Sequence, residues 1–138
     1  MTRRIAAPTS VVLAALAGLH LAWGAGASFP ARDRKELADL IAGTHSVPPP
    51  RQCYAVAGLL GTASTLVIDV GPWPRSVRPA GVATVAAVLG LRGLTGLLGR
   101  TSALVPWEPS SDFVVRDRRF YGPLCLALAV GAVSSLRA

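Results

Sequence analysis

Apolar residues along the chain fall into four long blocks separated by polar stretches. The blocks cover residues 5–27, 53–70, 79–98 and 120–136. Each has the length of about 17–25 residues that a helix needs to span a hydrocarbon core of about 30 Å. In lipid, backbone polar groups must be satisfied within their own segment, which selects helices over open strands. The pattern predicts an all-α fold, an integral membrane four-helix bundle, with residues 1–138 forming one polytopic domain. Pro8 lies near the start of the first block, where a first helical turn tolerates it.

Composition strengthens this picture. Only 15% of the residues are charged, against about 25% in soluble domains, and mean hydropathy is +0.48. A soluble fold of 138 residues could not cover that much contiguous apolar surface. The net charge of +7 invites a nucleic-acid reading. The arginines, however, lie between the apolar blocks, and no basic face interleaved with aromatics exists, so nucleic acid is excluded as a partner and membrane lipids are expected. The two cysteines, Cys53 and Cys125, form no CxxC pair and no zinc spacing; no metal and no cofactor is expected. Both open helices entering from one side, which leaves a disulfide or two buried thiols.

The segments between the blocks carry their own patterns. Residues 33–41 read as a short surface helix with Leu37, Leu40 and Ile41 on one side, and Val47-Pro48-Pro49-Pro50 ends it in extended form. Residues 71–75 form a tight turn, with Trp73 suited to an interface. Arg3 and Arg4 before an apolar run ending in Ala25-Gly26-Ala27 resemble a signal peptide, but the run is long and interrupted by His20 and Trp23, which fits a retained helix better. Gly58, Gly61, Gly90, Gly93, Gly96 and Gly131 would let helix backbones approach closely.

Lys and Arg in short loops set orientation. Arg3, Arg4, Arg75, Arg78 and Arg137 mark one side; Arg32, Arg34, Lys35, Arg51, Arg100, Arg116, Arg118 and Arg119 mark the other. Raw count favours the second side as cytoplasmic, but density in the shorter segments favours the first. Density is followed here: a multi-pass protein of the plasma membrane with both termini in the cytoplasm.

Ionisable residues within the apolar blocks are the candidates for function. Asp69 ends the second block beside Arg75 and reads as an interfacial cap or ion pair. His20 and Arg92 each lie seven or eight residues from the same membrane surface, about 11 Å deep at 1.5 Å per residue, and so share one level. A charge at that depth costs about 3 kcal/mol or more without a partner. No Asp or Glu lies at that level in any predicted helix. Arg92 must then snorkel to headgroups, or meet helix carbonyls, water, a loop acid such as Asp112 or Asp117 folding inward, or an anionic ligand. Trp23 lies one turn beyond His20, as an interfacial anchor or as a wall of the same cavity.

A weak internal match pairs residues 51–55 with 118–122, and residues 20–24 with 92–96. It suggests two helical hairpins in parallel repeat, with His20 and Arg92 at corresponding places near mid-membrane. Taken together, His20, Trp23-Gly24, Phe29-Pro30 and residues 113–126 (FVVRDRRFYGPLCL) resemble a bacterial membrane family known as domain of unknown function 3995. The likeness covers nearly the whole chain, and its most specific part leads from the arginines to Tyr121, Pro123, Leu124 and Cys125. It implies a small polytopic membrane protein and brings no catalytic residue with it.

The leading expectation is a binding or accessory protein whose one-leaflet polar cavity, walled by His20, Trp23, Arg92 and Tyr121, accepts an anionic lipid or amphiphile. The alternatives are a membrane enzyme on a lipid-soluble substrate, with His20 as acid/base and Arg92 as electrostatic stabiliser, and a small transporter, which would have to form an oligomer to enclose a pore.

Overall fold

The computed structural model describes residues 2–137. Met1 and Ala138, the ends assigned above to the cytoplasm, lie outside that range. The described residues form helices and connecting turns with no strand. The helices are α1 (Thr2–Gly24), α2 (Arg34–Ala42), α3 (Pro50–Ile68), α4 (Arg78–Leu97), α5 (Ser111–Arg116) and α6 (Gly122–Ser135). A 3-10 turn, Thr101–Ala103, follows α4, and a π-turn, Asp117–Tyr121, joins α5 to α6 without a break in the helical path.

Several boundaries differ from the apolar blocks, each for a local reason. α1 starts at Thr2, so Pro8 sits inside the helix, beyond its first turn, where it removes one backbone donor. α1 stops at Gly24 because Gly26 takes φ +104 and Ala27 N donates back to Ala22 O. α3 starts at Pro50, whose missing N–H costs nothing at a first helical position. It ends at Asp69, which adopts the left-handed region at φ 61, a conformation Asp tolerates better than most residues. The last helical run begins at Ser111, not at residue 120. Hydropathy misses that start because the added turns carry Asp112, Arg116, Asp117 and Arg118, whereas the Ser110 hydroxyl accepting from Phe113 N identifies it as an N-cap.

α1 packs chiefly on α3 and α4 chiefly on α6; the two pairs meet mainly through α1 and α6 and also through α3 and α4. Leu13, Leu66, Val67, Val82, Leu128 and Ala132 fill the centre. Between α1 and α3 lies a buried polar clasp: Ser10 and Ser64 hydroxyls are 2.8 Å apart, and each also donates to the other's backbone carbonyl. Close approach of α4 to α6 rests on glycines. A Cβ on Gly93 would lie 2.9 Å from Gly122 O, and one on Gly122 would lie 2.8 Å from Leu97 N. Gly131 receives Thr9 of α1 in the same way. Gly58, Gly61 and Gly90 face open space, so the packing role expected of all six glycines holds for three.

Among the described residues two helices are long and apolar enough to cross a membrane, Arg4–Gly24 and Arg78–Leu97. α3 opens on the polar turn Pro50-Arg51-Gln52, and α6 alone has 14 residues. Asp69 pairs with Arg78 at 3.1 Å and not with Arg75. The same guanidinium donates to Leu66 O and Val67 O at the end of α3, so Arg78 anchors a helix terminus by satisfying its free carbonyls.

Candidate functional site

At the end of the molecule away from the α3–α4 turn, the two helix pairs and α2 enclose a cavity of about 380 Å³. α1 contributes Leu16, Leu19, His20 and Trp23; α2 contributes Leu40, Ile41 and Ala42; α3 contributes Gln52, Cys53 and Val56; Pro30, Pro48, Arg92, Tyr121 and Leu124 complete the wall. All four residues singled out in the sequence, His20, Trp23, Arg92 and Tyr121, therefore line one space. Val56 and Leu124 remain partly exposed at its mouth.

His20 is held by its own helix. Its Nδ1 lies 2.8 Å from Leu16 O. A carbonyl only accepts, so Nδ1 carries the proton and, in the neutral ring, Nε2 keeps a free lone pair. The imidazole packs on Trp23, with ring centroids 4.8 Å apart. Trp23 is buried and donates from Nε1 to Phe29 O at 2.7 Å, which makes it a cavity wall and not a surface anchor. Arg34 fixes this corner by donating from one nitrogen to Trp23 O and Ala27 O.

Arg92 has a fixed counter-ion, supplied from outside the four apolar blocks. Asp117, fully buried, places Oδ1 2.9 Å from Nη2 and accepts at Oδ2 from Nη1 at 3.1 Å. Oδ1 lies off the N–H axis and has no other hydrogen-bond partner among the described residues, whereas Oδ2 also accepts from the Thr101 hydroxyl. Of the options open for Arg92, the inward-folding loop acid is realised, on a π-turn instead of a loop. Gly96 makes the room: a Cβ there would lie 2.7 Å from Asp117 Oδ1 and 2.9 Å from Arg92 Nη1. The inference of an anionic ligand drawn from an uncompensated guanidinium loses its premise.

α2 forms the roof and is not a free surface helix. Asp33 caps the helix by accepting from Glu36 N, while the Glu36 carboxylate accepts from Arg32 N just before the cap. Gly43 closes the other end in the left-handed region. Leu37 is fully buried against Trp23 and Cys53. The last turn of α2 is then clamped by the segment leading into α6. Tyr121 Oη donates to Leu40 O at 2.8 Å, Trp107 Nε1 to Ala42 O at 2.9 Å and Ser110 N to Gly43 O at 2.9 Å. Ser110 Oγ and Arg116 both donate to the Asp39 carboxylate. The Ser110 hydrogen bond first, and the Arg116 guanidinium after it, hold that carboxyl below its ordinary range.

The sequence named Asp117 only as one of two loop acids that could fold inward, and it missed Thr101 and the clamp. Gly96, four residues after Arg92, was the available sign, because a glycine on the same face one turn on leaves room for a partner. Cys53 and Cys125 are both free. Among the described residues no three His, Cys, Asp or Glu side chains gather as a metal site. Chemically the cavity is an apolar space with an internally neutralised ion pair in its wall and one imidazole able to exchange protons.

No curated protein matches the chain, and no solved structure matches it either. A family model, described as "Protein of unknown function (DUF3995)", matches residues 13–132. That span runs from α1 to α6 and includes every residue of the cavity wall; the chain belongs to the DUF3995 family.

Proposed function

We propose that this chain is a multi-pass protein of the cell membrane, with both termini in the cytoplasm, that binds an amphiphile in a cavity confined to one leaflet. Four spans would be α1, α3, α4 and the continuous path through α5, the π-turn and α6. Large apolar side chains point outward from each of them, including Val11, Leu59, Val88 and Val130, all more than 60% exposed. Such a surface suits lipid and not water. The two-hairpin arrangement agrees with the pairing of α1 with α3 and α4 with α6.

The observation that carries the binding role is the cavity itself. It is mostly apolar, has a few polar groups in its wall, and its volume falls within the roughly 300–1,000 Å³ of ordinary ligand sites. Extraction into native-lipid discs followed by lipid analysis tests the reading. The wild type should retain one amphiphile enriched over bulk membrane, and Val56→Trp, which plugs the mouth, should lose it. Equal lipid content in both proteins would remove the proposal.

The single imidazole with an accepting Nε2 favours a second reading, an enzyme using His20 as acid/base on a lipid-soluble substrate. It has less support, since general acid–base chemistry needs a second converging group and Arg92, the charged side chain lining the wall among the described residues, is committed to Asp117 behind it. Turnover abolished in a folded His20→Ala protein would promote it.

A further inference from the structure

Resting on the binding role just proposed, we infer that the cavity selects an amphiphile with an uncharged, hydroxyl-type head over one with a carboxylate or phosphate head. The argument is one of charge and of unused hydrogen-bonding capacity. Arg92 is the only cation in the wall, and Asp117, fully buried behind it, neutralises it at 2.9 Å. An anionic head would have to displace a carboxylate that also holds Thr101, or stand beside it and repel it. Neither is favourable in a low-dielectric wall.

The remaining polar capacity points to a group that both donates and accepts. Trp23 Nε1 is spent on Phe29 O and the Tyr121 proton on Leu40 O. What remains among the described residues is the His20 Nε2 lone pair, the acceptor side of the Tyr121 oxygen, the N–H groups of Arg92 that Asp117 does not take and the Gln52 amide. An alcohol or phenol can donate its one proton to either of the first two and accept from the others; a carboxylate can only accept. The volume of about 380 Å³ equals about a dozen water molecules at roughly 30 Å³ each. This holds a head and a short length of one chain, with the rest passing between Val56 and Leu124 into the surrounding lipid.

The test is competitive photolabelling of the full chain in lipid nanodiscs, with a diazirine-bearing long-chain alcohol as probe and labelled peptides mapped by mass spectrometry. 1-Dodecanol and dodecanoate, matched in chain length, serve as competitors at a pH where the carboxylate is ionised. Labels should map to the peptides carrying His20, Trp23 and Val56, and dodecanol should displace them at a concentration about tenfold or more below dodecanoate. In Asp117→Asn, which frees the guanidinium, the order should reverse. Dodecanoate competing as well as dodecanol in the wild type would overturn the head-group assignment and leave the cavity reading standing. Labels that neither competitor displaces would overturn the cavity reading itself. The wild-type comparison decides the matter even if the variant does not fold.

Discussion

Asp117 stands in the sequence between Arg116 and Arg118-Arg119, outside the four apolar blocks and among neighbouring cations. In the fold it is fully buried and faces Arg92 across Gly96. Removing one member of such a pair strands the other charge, whereas removing both does not. Asp117→Ala should therefore lower stability by about 3 kcal/mol. Arg92→Met combined with Asp117→Asn should lose clearly less than the sum of the single changes, as measured by denaturation in detergent; strict additivity would show that the pair has no energetic coupling. Glycines supply a sharper contrast. Gly96→Ala forces a methyl against Asp117 Oδ1 and should cost about 1–3 kcal/mol, while Gly90→Ala, with open space at its Cβ, should be neutral or stabilising by up to about 1 kcal/mol. Equal melting temperatures for these two variants would contradict the packing described. At this scale the sequence exposed one half of the site. His20 and Arg92 are conspicuous because they interrupt apolar runs, but the acid that answers Arg92 could be narrowed only to Asp112 or Asp117, and to one option among several, until the helix path is known.

The same asymmetry holds for whole elements. The long apolar helices were legible because hydropathy and length are local properties. The span of α2 was also legible, from Asp33, Glu36 and the leucines, yet its role as a roof was not. That role depends on Tyr121, Trp107 and Ser110 reaching across more than sixty residues of sequence to the carbonyls of its last turn, and no pattern within residues 33–43 encodes it. One acid-sensitive link lies in this clamp. The Asp39 carboxyl titrates below its ordinary range because Ser110 and Arg116 donate to it. A lowered folded value means that its stabilisation is present above the ordinary carboxylate range and is lost as pH falls through the lowered one. The carboxylate is partly exposed, so the effect is modest. A nitroxide attached through Lys35→Cys on the exposed side of α2 should be immobile near neutral pH and gain mobility below about pH 4. Asp39→Asn should show part of that mobility at neutral pH. A spectrum of Asp39→Asn matching wild type at every pH would mean that the backbone donors alone hold the roof.

Across the whole molecule, the two ends differ in the freedom of their cations, which bears on how the proposed bundle would sit in a membrane. Arg78 is committed to Asp69 and the end of α3, Arg34 to the end of α1, Arg116 to Asp39 and Arg32 to Glu36. Among the described residues, Arg4, Arg75 and Arg137 at one end, and Lys35, Arg51, Arg100, Arg118 and Arg119 at the other, enter no ion pair with a protein carboxylate. The positive-inside rule counts short segments most heavily, and the α3–α4 turn with Arg75 is far shorter than the connection carrying α2. In the proposed topology the Arg75 end would then face the cytoplasm and the cavity would lie in the outer leaflet. Arg75→Cys and Glu108→Cys place thiols at exposed positions at opposite ends, against native cysteines that are buried or half-buried. In intact cells, a membrane-impermeant maleimide should label position 108 and spare position 75 until the cells are opened. The reverse pattern would invert the protein and move the cavity to the inner leaflet with its chemistry unchanged. Labelling of both positions from outside would be incompatible with α4 crossing the membrane, and the four-span arrangement would have to be abandoned.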